Sequence, residues 1–226
     1  MRARCELRPG HSVAAASKLG SERESQDRAG DLVLCAYEVL ARLDAPDLTP
    51  FLSEWPAVPE RRRIVPSSVP ALRWLSQLRR AAPKFSAALV DVLVAAAQSL
   101  AWQRTYTAAE AGAAFLENYG WTELVGLAGP AASARLASGL LLLGPDVTYP
   151  LHRHEAEEIY VPLVGTAAWK CGTGRWRKRP PGSVIHHARN APHAMRTGAT
   201  ALLAVYLWRS ENLAQKSRLD SPSGRR

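Results

Sequence analysis

The chain of 226 residues is poor in cysteine: Cys5, Cys35 and Cys171 are widely spaced and odd in number. That pattern excludes a disulfide framework and a zinc knuckle, and it fits a reducing, cytoplasmic setting. Long apolar runs are also missing. The most apolar helical stretch, Phe85 to Trp102, is interrupted by Asp91 and Gln98 and holds more alanine than leucine, so it does not read as a membrane span. The opening residues, Met-Arg-Ala-Arg-Cys-Glu-Leu-Arg-Pro-Gly, have no apolar core of the kind a secretory signal needs. No internal repeat, helix-turn-helix or RNA-binding signature is visible.

What is present suits one well-cored domain with an appendage: 47% of residues are hydrophobic and 22% charged, ordinary values for a globular chain. The formal charge of +9 raises the question of a nucleic-acid partner. The basic residues instead lie in scattered clusters, Arg61 to Arg63, Arg79-Arg80, Arg175 to Arg179 and Arg225-Arg226. Without an accompanying motif they read as solvated surface, which would also help draw in a substrate bearing a carboxylate.

Residues 1–28 are polar and aperiodic, as expected of a flexible tail. Residues 29–120 read as a helical region. Leu32, Leu34, Cys35, Val39, Leu40 and Leu43 recur at helical spacing over 31–43, with Asp31 in the first turn and Pro46 beyond the end. Further helices are predicted over 68–81, 84–101 and 108–119. The last has Thr107 as N-cap, Glu110 completing a capping box and Gly120 as the residue past its end. From 121 to 212 glycine and proline become frequent and the apolar runs shorten. Eight strands are predicted, over 121–127, 134–143, 148–154, 157–164, 166–171, 183–187, 193–196 and 201–208, a pattern for an antiparallel barrel or jelly roll. Residues 213–226 read as a flexible basic tail. The expected class is therefore α+β, a helical N-terminal half packed on a C-terminal β-barrel.

The chemistry concentrates between Tyr149 and Tyr160. His152, His154, Glu158 and Tyr160 all fall on even positions, so in an extended chain they share a face. Two imidazoles and a carboxylate converging on one point make a first-row metal site. Glu155 and Glu157 have the other parity and should face outward. Of the six histidines only His11 lies outside 152–193. Among the later ones, His193, following the Asn190-Ala-Pro turn, is the expected fourth ligand, while His186 and His187 compete with it. His187 is assigned to orienting a ligand. Tyr160 is the candidate base, since a nearby cation lowers a phenol's pKa. Tyr149, three residues before His152, is a second candidate for that role.

These residues resemble the cupin superfamily, with His152-x-His154-x-x-x-Glu158 and Tyr160 as its first motif and Pro181-Gly182 through Pro192-His193 as its second. The stretches Trp102-Gln-Arg-Thr-Tyr106, Phe115-Leu-Glu-Asn-Tyr119-Gly-Trp121 and His152 to Tyr160 look more narrowly like the cupin-type dimethylsulfoniopropionate lyases, most like the DddL kind. The resemblance covers roughly residues 30 to 212. It implies a cupin jelly roll and cleavage of dimethylsulfoniopropionate to dimethyl sulfide and acrylate. The ligands of one divalent transition metal (Fe, Mn, Zn, Co or Ni) would be His152, His154, Glu158 and His193. Tyr160 would be the catalytic tyrosine, and Tyr149 and Trp208 the aromatics that contact substrate. Trp169 and Trp176 are assigned to the core. Such a substrate is a small zwitterion whose sulfonium suits an aromatic wall. A cupin oxygenase acting on a small carboxylate and a non-enzymatic ligand-sensing cupin are the competing readings. No nucleic-acid or membrane partner is expected, and a two-fold homodimer is the base-rate assembly.

Overall fold

The structure, a computed structural model, describes residues 28–57 and 62–220. Cys5, His11, the rest of the expected N-terminal tail and the end of the C-terminal one lie outside these residues. Helix α1 covers residues 28–41. Its inward face is Leu32, Val33, Ala36, Val39 and Leu40, whereas Leu34, expected on that face, is 52% exposed. A short α2 (Thr49–Leu52) follows, then a 3-10 turn leading into α3 (Leu75–Ala81), and α4 (Ala87–Ala96), which closes in another 3-10 turn. The strand β1 (Trp102–Gln103) lies inside the region expected to be helical and pairs with the strand after it.

The helix predicted over 108–119 is two pieces, α5 (Ala108–Ala111) and α6 (Ala113–Leu116). Thr107 and Glu110 do form the capping box. Gly112 breaks the element, with φ at 83° where only glycine sits without strain. The chain then enters β2 (Tyr119–Gly126), so Gly120 is a strand residue and not a helix terminus.

The remaining strands are β3 (Ala131–Ala132), β4 (Leu136–Leu143), β5 (Thr148–Arg153), β6 (Glu157–Val164), β7 (Ala167–Cys171), β8 (Arg177–Arg179), β9 (Ile185–His187), β10 (His193–Thr197), β11 (Leu202–Arg209) and β12 (Arg218–Leu219). All eight predicted strands are present within a few residues. The larger sheet runs β1-β2-β4-β11-β6-β9 with β3 on β2, and the smaller runs β12-β5-β10-β7-β8. The two do not join into the closed barrel that was expected. β9 ends one sheet and β8 the other, so the jelly roll is an open sandwich. Residues 213–220 are not loose either. β12 pairs with β5, and Arg153 grips Asp220 through two hydrogen bonds of 2.6 Å.

Three layers result. Ile159, Val161, Leu163, Leu203, Val205 and Leu207, at odd positions, turn the large sheet's outer face to the helices. Tyr160, Ala204 and Tyr206, at even positions, turn inward with Tyr149, Trp169 and Met195 of the small sheet. Each fully buried Leu or Val side chain of the outer face is worth about 1.5–3 kcal/mol, which anchors the sheet so that its inner face can carry polar groups. The Ser86 hydroxyl donates to the Leu163 carbonyl at 2.8 Å and ties the region of α4 to β6.

Gly139 in β4 sits opposite Tyr206, and a Cβ there would lie 2.0 Å from the Thr122 carbonyl oxygen and 2.8 Å from the Tyr206 hydroxyl. Gly139→Ala should therefore cost about 2 kcal/mol by overpacking and lower Tm by roughly 4–8 °C for a chain of this size. Thermal unfolding measures it, and an unchanged Tm would mean that the β2–β4 pairing yields freely.

Candidate active site

The motif from Tyr149 to Tyr160 is not one extended face. β5 belongs to the small sheet and β6 to the large one, and the chain crosses between them at residues 154–156. His152 projects from the small sheet, Glu158 and Tyr160 from the large sheet, and His154 stands on the crossing. The residues converge because two sheets face each other across the core. His193 arrives from β10, where it is the cross-strand partner of His152. The turn before it is held by Asn190, with φ at 59° and its N–H donating to the His154 carbonyl at 2.8 Å.

Tyr149 and His152 are three residues apart, a spacing that sends side chains to opposite faces of a regular strand. His193 pairs with His152 and Met195 with Tyr149, so two steps on β10 match three on β5. This bulge re-aims Tyr149, and its ring lies 4.0 Å from that of His152, nearly parallel.

Donor atoms of His154, Glu158 and His193 lie within 4.8 Å of one another. Glu158 is 0% exposed. Its Oε2 is 3.0 Å from His154 Nε2 and 2.9 Å from His193 Nε2, the second contact being misaligned for a hydrogen bond. His152, the other expected ligand, is not part of this trio. Its ring packs 4.1 Å from that of His193 and 6.4 Å from that of His154.

The three histidines share one hydrogen-bond pattern. Nδ1 of His152, His154 and His193 meets the carbonyls of Pro150, Ala156 and Ala191 at 2.8, 3.0 and 2.9 Å. A carbonyl only accepts, so each Nδ1 carries the proton and each neutral ring keeps a lone pair on Nε2. For His154 and His193 that lone pair faces a carboxylate oxygen, a repulsive arrangement relieved by a cation or by a proton. The donor set thus fits a first-row divalent metal.

Electrostatics agree. Burial opposes ionisation of Glu158, yet the neighbouring His154 and His193 hold its pKa well below the usual carboxylate range. Burial likewise disfavours charged His154, but Glu158 raises its pKa above the ordinary value. His152 is pushed well down by burial and by His193. The second oxygen of Glu158 accepts from the Trp208 indole N–H at 2.5 Å, and the Trp208 ring lies 4.2 Å from that of His154. Trp208 therefore contacts the ligand cluster directly, beyond its expected place on the cavity wall.

That wall encloses about 310 Å³ and includes Tyr149, Tyr160 and Trp208. Burial first, then Glu158, pushes the Tyr160 phenol well above its ordinary pKa, so its ionisation depends on a compensating cation. Tyr149 is held by the Tyr106 hydroxyl at 3.0 Å, which in turn donates to Ser217 at 3.1 Å. His187 is buried and stacked 4.1 Å from His193, but neither of its nitrogens has a partner, so it makes no orienting hydrogen bond to a ligand. His186 points outward to Glu157, which also takes Arg209. Trp169 is core, as expected, whereas Trp176 is only partly buried and stacks under Arg196.

Sequence reasoning missed Trp121, Glu123 and Tyr206 in the cavity wall, together with the strap at 213–217. Tyr206 was legible, since it shares the even parity of Trp208 on β11. The strap carries no periodic signal that would have marked it.

The dimethylsulfoniopropionate lyase family model matches residues 53–204. Over 125 residues the chain is 35% identical to the dimethylsulfoniopropionate lyase DddQ of Ruegeria pomeroyi, covering 55% of this chain and 62% of that protein. It is 32% identical over 132 residues to the DddL protein of Cereibacter sphaeroides, covering 58% and 53%. The matched stretches thus span less than two thirds of either relative. The crystal structure of DddQ from Ruegeria pomeroyi superposes with a TM-score of 0.79 at 28% identity, over 88% of this chain and 99% of that one. A chain from the crystal structures of the DMSP lyases RdDddP and RnDddQII gives 0.73 at 30% identity, over 87% and 100%. The likeness is therefore to DddQ as well as to DddL, and with a family match across most of the fold, the chain belongs to the dimethylsulfoniopropionate lyase family.

Proposed function

We propose that the protein is a metal-dependent carbon–sulfur lyase that eliminates dimethyl sulfide from dimethylsulfoniopropionate and leaves acrylate. The observation that carries this reading is the Glu158 cluster, two Nδ1-anchored histidines on a buried carboxylate, beside a cavity walled by Tyr149, Tyr160 and Trp208, in a chain of this family. His154, Glu158 and His193 would hold the metal, with His152, whose ring packs 4.1 Å from that of His193, as the further ligand. When bound, one divalent ion (Fe, Mn, Zn, Co or Ni) acts as a Lewis acid toward the substrate carboxylate and favours phenolate at Tyr160.

Tyr160 then takes the proton from the carbon next to the carboxylate. The C–H electron pair forms the new double bond, and the pair of the C–S bond departs on sulfur as neutral dimethyl sulfide. Tyr149, restrained by Tyr106 and Ser217, positions the substrate. Trp208, with Trp121 and Tyr206, offers ring faces to the sulfonium, while its N–H steadies Glu158. This reading puts the enzyme in the cytoplasm, in keeping with the free thiols of Cys35 and Cys171 among the described residues, with a two-fold homodimer as the base-rate assembly.

Headspace analysis of purified protein with dimethylsulfoniopropionate should show dimethyl sulfide, released equally without oxygen. An oxygen requirement would replace the lyase with an oxygenase. Tyr160→Phe keeps the ring and loses only the oxygen, so kcat should fall by at least about a hundredfold with metal retained. Tyr149→Phe should be milder, and the reverse ranking would exchange the two roles. Trp208→Phe removes the donor to Glu158 and should weaken metal affinity by about tenfold or more. His154→Ala should abolish binding, and elemental analysis showing full metal in His154→Ala would sink the ligand assignment.

A further inference from the structure

The sandwich is open where β8 ends the small sheet and β9 ends the large one. A second cavity of about 300 Å³ lies there. Its lining includes Lys170, Arg175, Arg177 and Arg179, with Trp169 and His187 at the inner end. No acidic residue lines it, and no ion pair is recorded for those four cations among the described residues. The acid at this edge, Glu157, is already taken by His186 and Arg209. Trp169 and His187 are 3% and 2% exposed, yet the Trp169 Nε1, both His187 nitrogens and the buried Nε of Arg179 have no hydrogen-bond partner.

Buried donors without acceptors cost about 1–3 kcal/mol each, and several around one cationic mouth imply an acceptor that is not part of the chain. The mouth also reaches the site from behind. His187 stacks on His193, and Trp169 packs 4.9 Å from the Tyr160 ring, whose other surroundings include the aromatic cavity. The volume suits a ligand of a few heavy atoms, and the planar guanidinium and indole N–H groups suit a carboxylate.

We propose that the β8–β9 mouth is a second binding site, for a small monocarboxylate, separate from the aromatic cavity. Naming that anion as the carboxylate product of the elimination rests on the lyase reading. The site assigns the Arg175 to Arg179 cluster a ligand in place of a merely solvated surface.

The test uses the full-length, metal-loaded protein labelled with nitrogen-15, reading the indole N–H resonance of Trp169, identified by its loss in Trp169→Phe. Added acrylate should shift this resonance saturably. Arg179→Gln with Arg177→Gln should weaken the binding by about tenfold, the effect of losing one charge-assisted hydrogen bond. In turnover, the same pair should weaken product inhibition by acrylate comparably while KM for dimethylsulfoniopropionate stays within about twofold. A resonance that does not move, or moves equally in the double variant, overturns the site. Inorganic phosphate binding there more tightly than acrylate overturns its assignment to carboxylates. A wild-type protein that binds acrylate here but releases no dimethyl sulfide would refute the lyase reading and leave the site standing.

Discussion

A carboxylate with no solvent exposure, Glu158, is the constraint around which the molecule is arranged. A buried charge without partners is among the costliest features a fold can carry. Here Trp208 donates to it from the neighbouring strand β11, while His154 on the crossing and His193 from the small sheet turn ring nitrogens to it that a shared cation or proton must bridge. None of these partners comes from the same strand as Glu158. The approach of His193 therefore exists only when both sheets are formed and apposed, whereas Trp208 faces Glu158 within the large sheet, and the helical layer behind β6 and β11 holds that sheet in place. The apolar outer face of that sheet and its polar inner face are parts of one device.

The tautomer pattern shows how the chain prepares its ligands. Each of His152, His154 and His193 donates to a carbonyl two residues away, so local backbone geometry sets the proton on Nδ1. Such short-range bonds require turn or bulge geometry, which the Asn190 turn and the extra residue in β5 supply. The ring orientations follow from these irregularities more than from the regular strands around them.

Failure of the sandwich to close has consequences of its own. A closed barrel would have paired β8 with β9 and sealed the core behind His193. Left unpaired, these edges carry cations and an opening. The aromatic cavity touches the cluster through Trp208, and the cationic mouth touches it through His187, which stacks on His193.

The sequence by itself determined eight of the strands, the capping box and the identity of the chemical groups. These depend on local periodicity and on residue type, which a linear chain displays directly. It also determined that Glu155 and Glu157 turn away while Glu158 turns in, because alternation along a single strand is local. Only the tertiary structure decided why the groups meet. The parity shared by His152 and Tyr160 spans two strands in different sheets, and convergence across a gap depends on how sheets stack, a long-range property. The bulge that brings Tyr149 beside His152, the bond from Trp208 to Glu158 and the capture of residues 213–220 were likewise invisible in the chain. In each, a partner distant in sequence outweighs the local preference, and a distant partner leaves no mark on the residues next to it.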